Sequence, residues 1–377
     1  MKLLSVVGAR PQFIKAAVIC QAIAREQSDI VHRIVHTGQH YDTGMSEVFF
    51  RELGIPAPDY NLSVGSGTHG VQTGEMLKRL DPILLSEQPD WVLVFGDTNS
   101  TLAGVLAACK LHFPTAHVEA GMRSYDRGAP EEINRIVTDQ LADLLLCATP
   151  YALENLRKEG LHDRAVITGD VMYDAFIGLR DLAENQGKSS GRSLPLGAFA
   201  LATVHRADNT DNPARLSAIM SALDKVARDV CPIVLPLHPR TRSALAAIGC
   251  APSSITIIEP ASYLEMIDLL SRACFVLTDS GGVQKEAYFA KTPCITMRSE
   301  TEWGETLENG CNVLTGADED RIVAAARQAR YAGPWTAVYG EGNAGTLILE
   351  ALRRGSQTHV LVPPAWSDGV LAPSDPA

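Results

Sequence analysis

The chain has 377 residues, 46% of them hydrophobic and 20% charged, with a formal net charge of −11. That length suits two domains of ordinary size, and the acidic balance excludes a global basic surface for nucleic acid. Eight scattered cysteines without a C-x-x-C pair argue against structural zinc, and no apolar stretch reaches the roughly 20 residues of a membrane span. Most cysteines, such as Cys109, Cys147, Cys231 and Cys274, sit in apolar runs and read as small core residues. The apolar run at residues 3–7 is too short for a signal peptide, so a cytoplasmic location is expected.

In chain order, residues 3–7 read as strand, 12–25 as helix and 30–36 as strand. Residues 45–53 and 68–86 read as helices, 91–95 as a buried strand, 98–111 as helix and 115–118 as strand. Helices at 132–141 and 152–159 alternate with strands at 144–148 and 165–168. A polar stretch at 184–193 reads as a linker or surface loop, and the pattern then restarts. Strands at 198–204, 233–237, 254–258, 274–278 and 294–297 alternate with helices at 213–229, 263–271 and 282–290. Strands alternating with helices of this length predict parallel sheets covered on both faces. The fold class is therefore α/β, with two Rossmann-like doubly wound domains facing a central cleft. The expected domains are 1–170 and 171–343, with a loose tail at 361–377.

Polar groups fall at the strand ends, where open parallel sheets bind ligands. The first strand is followed by Gly8-Ala9-Arg10-Pro11 and, one turn on, Lys15. Surface charge would be the ordinary reading of both cations, but a cation at a helix N-terminus opposes the dipole, and an anionic ligand supplies a reason for it. Gln39 and His40 follow the second strand, and Asp97 the 91–95 strand, where it could equally be an N-cap. Glu119 ends a buried strand and is costly there unless paired or used, with Arg123 as a candidate partner. Glu131 and Glu132 open a helix that carries Arg135. In the second half, His205-Arg206 and His238-Pro239-Arg240 end two strands.

The run Leu277-Thr278-Asp279-Ser280-Gly281-Gly282 breaks a strand into a helix. Such a turn gathers unpaired N–H groups that favour an anion, although Ser280 would also serve as an ordinary N-cap. Glu286, one turn inside, would repel phosphate but could grip ribose hydroxyls, which points to a nucleoside diphosphate. Three carboxylates in one half and a phosphate grip in the other suggest acid–base chemistry on a group attached to the diphosphate.

The chain resembles the non-hydrolysing UDP-N-acetylglucosamine 2-epimerases. The match runs in unbroken order through Gly8-Ala9-Arg10-Pro11, Gly96-Asp97-Thr98, His117-Val118-Glu119-Ala120-Gly121, Pro130-Glu131-Glu132 with Asn134-Arg135, His205-Arg206, and Asp279-Ser280-Gly281-Gly282 with Glu286. It implies the two-domain glycosyltransferase-B fold, with a C-terminal helix within 344–360 packed back on the first domain. It implies interconversion of UDP-GlcNAc and UDP-ManNAc by expulsion of UDP, through a 2-acetamidoglucal, and re-addition. Asp97, Glu119 and Glu131 are then the acid–base candidates, with their faces unassigned, and His205 stabilises the leaving charge. Arg10, Lys15, Gln39, His40, Arg135, Arg206, His238, Met266, Ser280, Gly281, Gly282, Glu286 and Arg298 are the substrate-binding candidates. Gln39 and His40 match positions through which allosteric members hold a second substrate molecule. No cofactor and no metal are implied. The partners implied are the UDP-sugar and a second copy in a homodimer, with no nucleic acid and no membrane.

Three departures bear on the sugar. The loop after the last strand reads Thr301-Glu302-Trp303-Gly304-Glu305, with Trp303 where the common pattern has an arginine. The first turn continues Gln12-Phe13, and Met266 replaces a usual aromatic. The first two resemble the branch acting on UDP-2,3-diacetamido-2,3-dideoxy-glucuronate, which is the alternative substrate. A glycosyltransferase of the same fold would need at most one base. A hydrolysing epimerase would release UDP.

Overall fold

The computed structural model describes residues 1–26, 29–39, 56–189, 197–250, 252–308, 310–329 and 335–358. The chain forms two compact units: Met1–Gly121 with Tyr125–Thr168 and the chain from Asn343 on, and Met122–Ser124 with Gly169–Gly342.

The first unit holds strands β1 (Lys2–Val7), β2 (Val31–His36), β3 (Tyr60–Asn61), β4 (Trp91–Phe95), β5 (Thr115–Ala120), β6 (Leu144–Cys147) and β7 (Ala165–Ile167). They pair in the order β3-β2-β1-β4-β5-β6-β7, parallel throughout. The second unit holds β8 (Ala200–Thr203), β9 (Ile233–Pro236), β10 (Thr256–Ile258), β11 (Val276–Thr278), β12 (Cys294–Thr296) and β13 (Asn312–Leu314), also parallel, in the order β10-β9-β8-β11-β12-β13. Both sheets are doubly wound, and each reverses direction beside its first strand, between β1 and β4 and between β8 and β11. That reversal leaves a crevice at the carboxyl ends of the central strands.

Burial explains the strands. Trp91–Phe95 is buried along its whole length, as a central parallel strand must be when both sheet faces are covered. One face of the first sheet, Leu4, Val6, Val92 and Val94, packs on Met76, Leu80 and Leu84 of the helix His69–Glu87. In the second sheet, Ala202, Ile233, Leu235 and Leu277 pack on Leu216, Ile219 and Leu223, while Leu201, Val234 and Val276 meet Leu269 and Leu270 on the other face. The helix Ala344–Thr358 belongs to the first unit. Arg353 pairs with Glu26 at 2.6 Å, and Ser356 Oγ accepts from the Trp91 indole N–H at 2.7 Å.

Several expectations need correction. The stretch 184–193 is not simply a linker, because the helix Val171–Ser189 runs through its first six residues. Val171, Met172, Ala175, Phe176, Leu179 and Ala183 are buried at helical spacing and carry the helix into the polar segment. Cys274 is exposed rather than buried, since it lies just outside the amino end of β11. The helix expected at 45–53 and the tail at 361–377 lie outside the described residues. Among the described residues, no helix is long and apolar enough to cross a membrane.

Candidate active site

In the first unit the β1 turn is tied to the end of β4 by Gln12. Its Oε1 accepts from the N–H groups of Gly8 (2.8 Å) and Ala9 (3.0 Å), and its Nε2 donates to Phe95 O (2.7 Å) and Thr101 Oγ1 (3.0 Å). This buried, fully bonded amide bridges the crevice and fixes the chain entering Gly96-Asp97. Asp97 Oδ2 receives Arg135 at 2.5 Å, and Arg135 also pairs with Glu132 at 2.9 Å. Asn134 donates to Asp97 O at 2.9 Å. Glu132 is 1% exposed and accepts from Tyr125 N–H as well, so it is committed to structure. Glu131 is exposed in the first turn of the helix Pro130–Leu141, and none of the described hydrogen bonds or ion pairs uses it. Of the adjacent carboxylates, Glu131 is therefore the one available for chemistry.

Glu119 is placed by strain. Its φ is +74°, the left-handed region a non-glycine residue avoids, and the β5–β6 register shifts between Val118 and Ala120. The bulge turns the carboxylate onto Lys15 Nζ, and the two form a nearly buried ion pair. Gly96 covers it: at φ +63°, a Cβ there would lie 3.0 Å from Lys15 Nζ and 3.4 Å from Glu119 Oε2. Beneath, His117 and Asp139 are fully buried. His117 Nε2 donates to Gly96 O (2.7 Å) and its Nδ1 meets Asp139 Oδ1 (2.6 Å), while Asp139 Oδ2 accepts from Gly121 N–H (3.1 Å). These bonds clamp the chain on either side of Glu119.

In the second unit Asp279 organises the crevice. It is fully buried at the end of β11, and accepts from the backbone N–H of His205 and Arg206 and from Asn209 Nδ2, all at 3.1 Å. The chain leaving β8 is thereby held against the chain leaving β11. His205 Nδ1 lies 3.8 Å from Asp279, and its ring is 5.7 Å from that of His238. Burial holds the His205 pKa below its ordinary value; Asp279 opposes this, and His238 and Arg206 reinforce it. His238 Nδ1 accepts from Arg240 N–H at 3.2 Å and caps the helix Pro239–Ala247.

Ser280 caps the helix Gly281–Phe289 by accepting from Val283 N–H at 3.5 Å. A Cβ on Gly281 would collide with Glu302 Oε1, whereas Gly282 is open. Arg298 pairs with Glu302 at 2.9 Å. Lys285 Nζ is bonded to Asp170 at 2.8 Å and sits 4.3 Å over the Trp303 ring. The crevice thus offers a helix N-terminus, a serine, and nearby imidazole and guanidinium groups, a set suited to phosphate.

A family model for UDP-N-acetylglucosamine 2-epimerase matches residues 22–353. The chain belongs to that family. It is 51% identical over 359 residues to the UDP-2,3-diacetamido-2,3-dideoxy-D-glucuronate 2-epimerase of Pseudomonas aeruginosa, with 94% of this chain and 100% of the relative covered. It is 41% identical to the UDP-N-acetylglucosamine 2-epimerase of Methanocaldococcus jannaschii, covering 94% and 100%. The crystal structure of the latter enzyme with UDP-GlcNAc and UDP matches with a TM-score of 0.84 at 40% identity, over 94% of this chain and 100% of that one. A Rickettsia africae glycosyltransferase, 14% identical with a TM-score of 0.55, shares the fold alone. The fold expected from the sequence, two glycosyltransferase-B-like domains, and the 2-epimerase family are both confirmed.

Within this family member, Asp97 with Arg135 and Lys15 with Glu119 meet at the first crevice. Gln39 Oε1 accepts from Ser100 N–H (3.1 Å) and Oγ (2.7 Å), where the next helix starts. His205, Arg206 and His238 gather around the second crevice, with Ser280, Gly281 and Arg298 beside it. Glu286 is half-buried one turn inside the helix. Met266 is half-buried against the sheet core, packed with Leu269 and Leu270. His40 and the side chain of Arg10 lie outside the described residues. Lys15, expected on an anionic ligand, pairs with Glu119 in the structure. The sequence assigns no structural role to Gln12, Asp139 or Asp279; the strand-end position of Asp279 and its place in the Asp279-Ser280-Gly281-Gly282 run are the signals that point to it. Among the described residues, no group of three or more His, Cys, Asp or Glu side chains could hold a metal ion.

Proposed function

We propose that the protein epimerises C2 of a UDP-linked 2-acetamido sugar without net hydrolysis. One carboxylate of the Asp97, Glu119 and Glu131 set takes the C2 proton while the C1–oxygen bond breaks and UDP leaves. The resulting 1,2-unsaturated glycal accepts UDP again at C1 as C2 is protonated on the opposite face. Ser280, Gly281 and the residues around His205 hold UDP, with the His205 imidazole beside the leaving diphosphate. Glu286 grips the ribose, and Lys15 pairs with Glu119. The observation that carries this reading is Glu119 itself: a carboxylate in a strained backbone conformation, clamped on both sides and paired with one lysine, in a chain of this family.

The sugar we favour is 2,3-diacetamido-2,3-dideoxy-glucuronate. Its support is the 51% identity to a full-length relative of that name, with Gln12-Phe13 and Trp303 in place of the common residues. UDP-GlcNAc is the second reading, supported by the 41% relative. We further propose a cytoplasmic homodimer. Incubation of the enzyme with each nucleotide sugar, followed by chromatography of the C2 epimers, tests the choice. Turnover of UDP-GlcNAc alone would contradict the favoured substrate.

A further inference from the structure

Trp303 is 8% exposed, and its indole Nε1–H has no hydrogen-bond partner among the described residues. A buried donor left unpaired is costly, so its partner is to be sought nearby. The nitrogen lies 3.6 Å from where a Cβ on Gly281 would be, at the first residue of the helix Gly281–Phe289. The ring is fixed there by Lys285 Nζ, 4.3 Å from its centroid and anchored on Asp170 at 2.8 Å. The Glu302 carboxylate lies closer still to Gly281 and covers the spot, held by Arg298 at 2.9 Å. An unpaired N–H donor, a helix N-terminus and a carboxylate thus converge on one glycine that has no side chain to fill the space.

Resting on the proposed UDP-sugar reading, we propose that Trp303 is a further ligand-binding residue, whose indole N–H donates to a diphosphate oxygen at the Gly281 turn. Glu302 fills the anion position in the free protein. An incoming diphosphate repels it, which uncovers the indole N–H and releases Arg298 toward the same anion. The contact is that of a neutral donor, so it adds affinity without adding charge.

The test is the indole region of a proton–nitrogen NMR spectrum of the intact enzyme, titrated with UDP and with uridine. The side-chain N–H groups of Trp91 and Trp335 are already bonded, to Ser356 and to Tyr288 O. UDP is expected to move the Trp303 indole resonance downfield, and uridine to leave it in place. Trp303→Phe, which keeps a ring over Lys285, assigns the resonance and should weaken UDP binding about 10- to 100-fold, the range of a hydrogen bond to a charged group. Glu302→Gln should bind UDP several-fold more tightly. A wild-type enzyme that binds UDP with the Trp303 resonance unmoved, or a Trp303→Phe enzyme with unchanged UDP affinity, overturns the proposal and leaves the epimerase reading standing. Failure of the wild-type enzyme to bind UDP would sink both.

Discussion

Replacing Asp279 with asparagine isolates the group on which the second crevice is built. The carboxylate is fully buried and faces three donors at 3.1 Å: two backbone N–H groups and the Asn209 amide. Asparagine keeps the shape but turns one acceptor into a donor, so at least one N–H is left facing N–H. An unmade buried hydrogen bond costs about 1–3 kcal/mol, and the charge-assisted character of the others is lost as well. For a unit of this size each kcal/mol moves the melting temperature by about 2–4 °C, which predicts a fall of roughly 2–12 °C. The same change loosens the turn that carries His205 and Arg206, so UDP affinity should fall about tenfold. Differential scanning calorimetry and UDP titration calorimetry of the full chain measure both. A melting temperature within 1 °C of wild type together with unchanged UDP affinity would refute the role given to Asp279.

Two further outcomes follow from buried pairs. Lys15→Met removes the described ion-pair partner of the nearly buried Glu119 carboxylate, so both the melting temperature and kcat/KM should fall. Unchanged melting temperature and kcat/KM would detach Lys15 from Glu119. His32 is bonded to Ser5 Oγ at 2.8 Å, and burial lowers its pKa to about 4, with Asp59 opposing. Because the folded pKa lies below the unfolded value of about 6.5, the unfolded state binds more protons between the two. That stability is full above about pH 6.5 and is lost as pH falls toward 4, by up to ~3 kcal/mol. Denaturant titrations should show this slope in the wild type and a shallower one in His32→Gln; equal slopes would contradict it.

The fold was legible because its signals are local. Runs such as Trp91–Phe95 can only be buried strands, and helices between them force parallel order. The polar residues at strand ends were legible for the same reason, since Asp97, Glu119, His205 and Ser280 each interrupt an apolar run. Their partners were not. Lys15 and Glu119 are joined across 104 residues, and the bond needs a bulge and a positive φ that no sequence pattern announces. Asp279 read as one of a row of polar residues, and only the folded chain shows three donors converging on it. The helix Val171–Ser189 was missed because a polar, glycine- and serine-containing tail hid a buried stripe of ordinary helical spacing.

The central claim is that C2 loses and regains a proton while UDP is retained. Incubating the enzyme with its nucleotide sugar in deuterated water measures it directly, by mass spectrometry of both epimers and assay of free UDP. The account predicts deuterium at C2 of the product, no stoichiometric UDP release, and loss of deuterium uptake with retained UDP binding in Glu119→Gln and Asp97→Asn. An epimerised product without deuterium, or full exchange in Glu119→Gln, would contradict it.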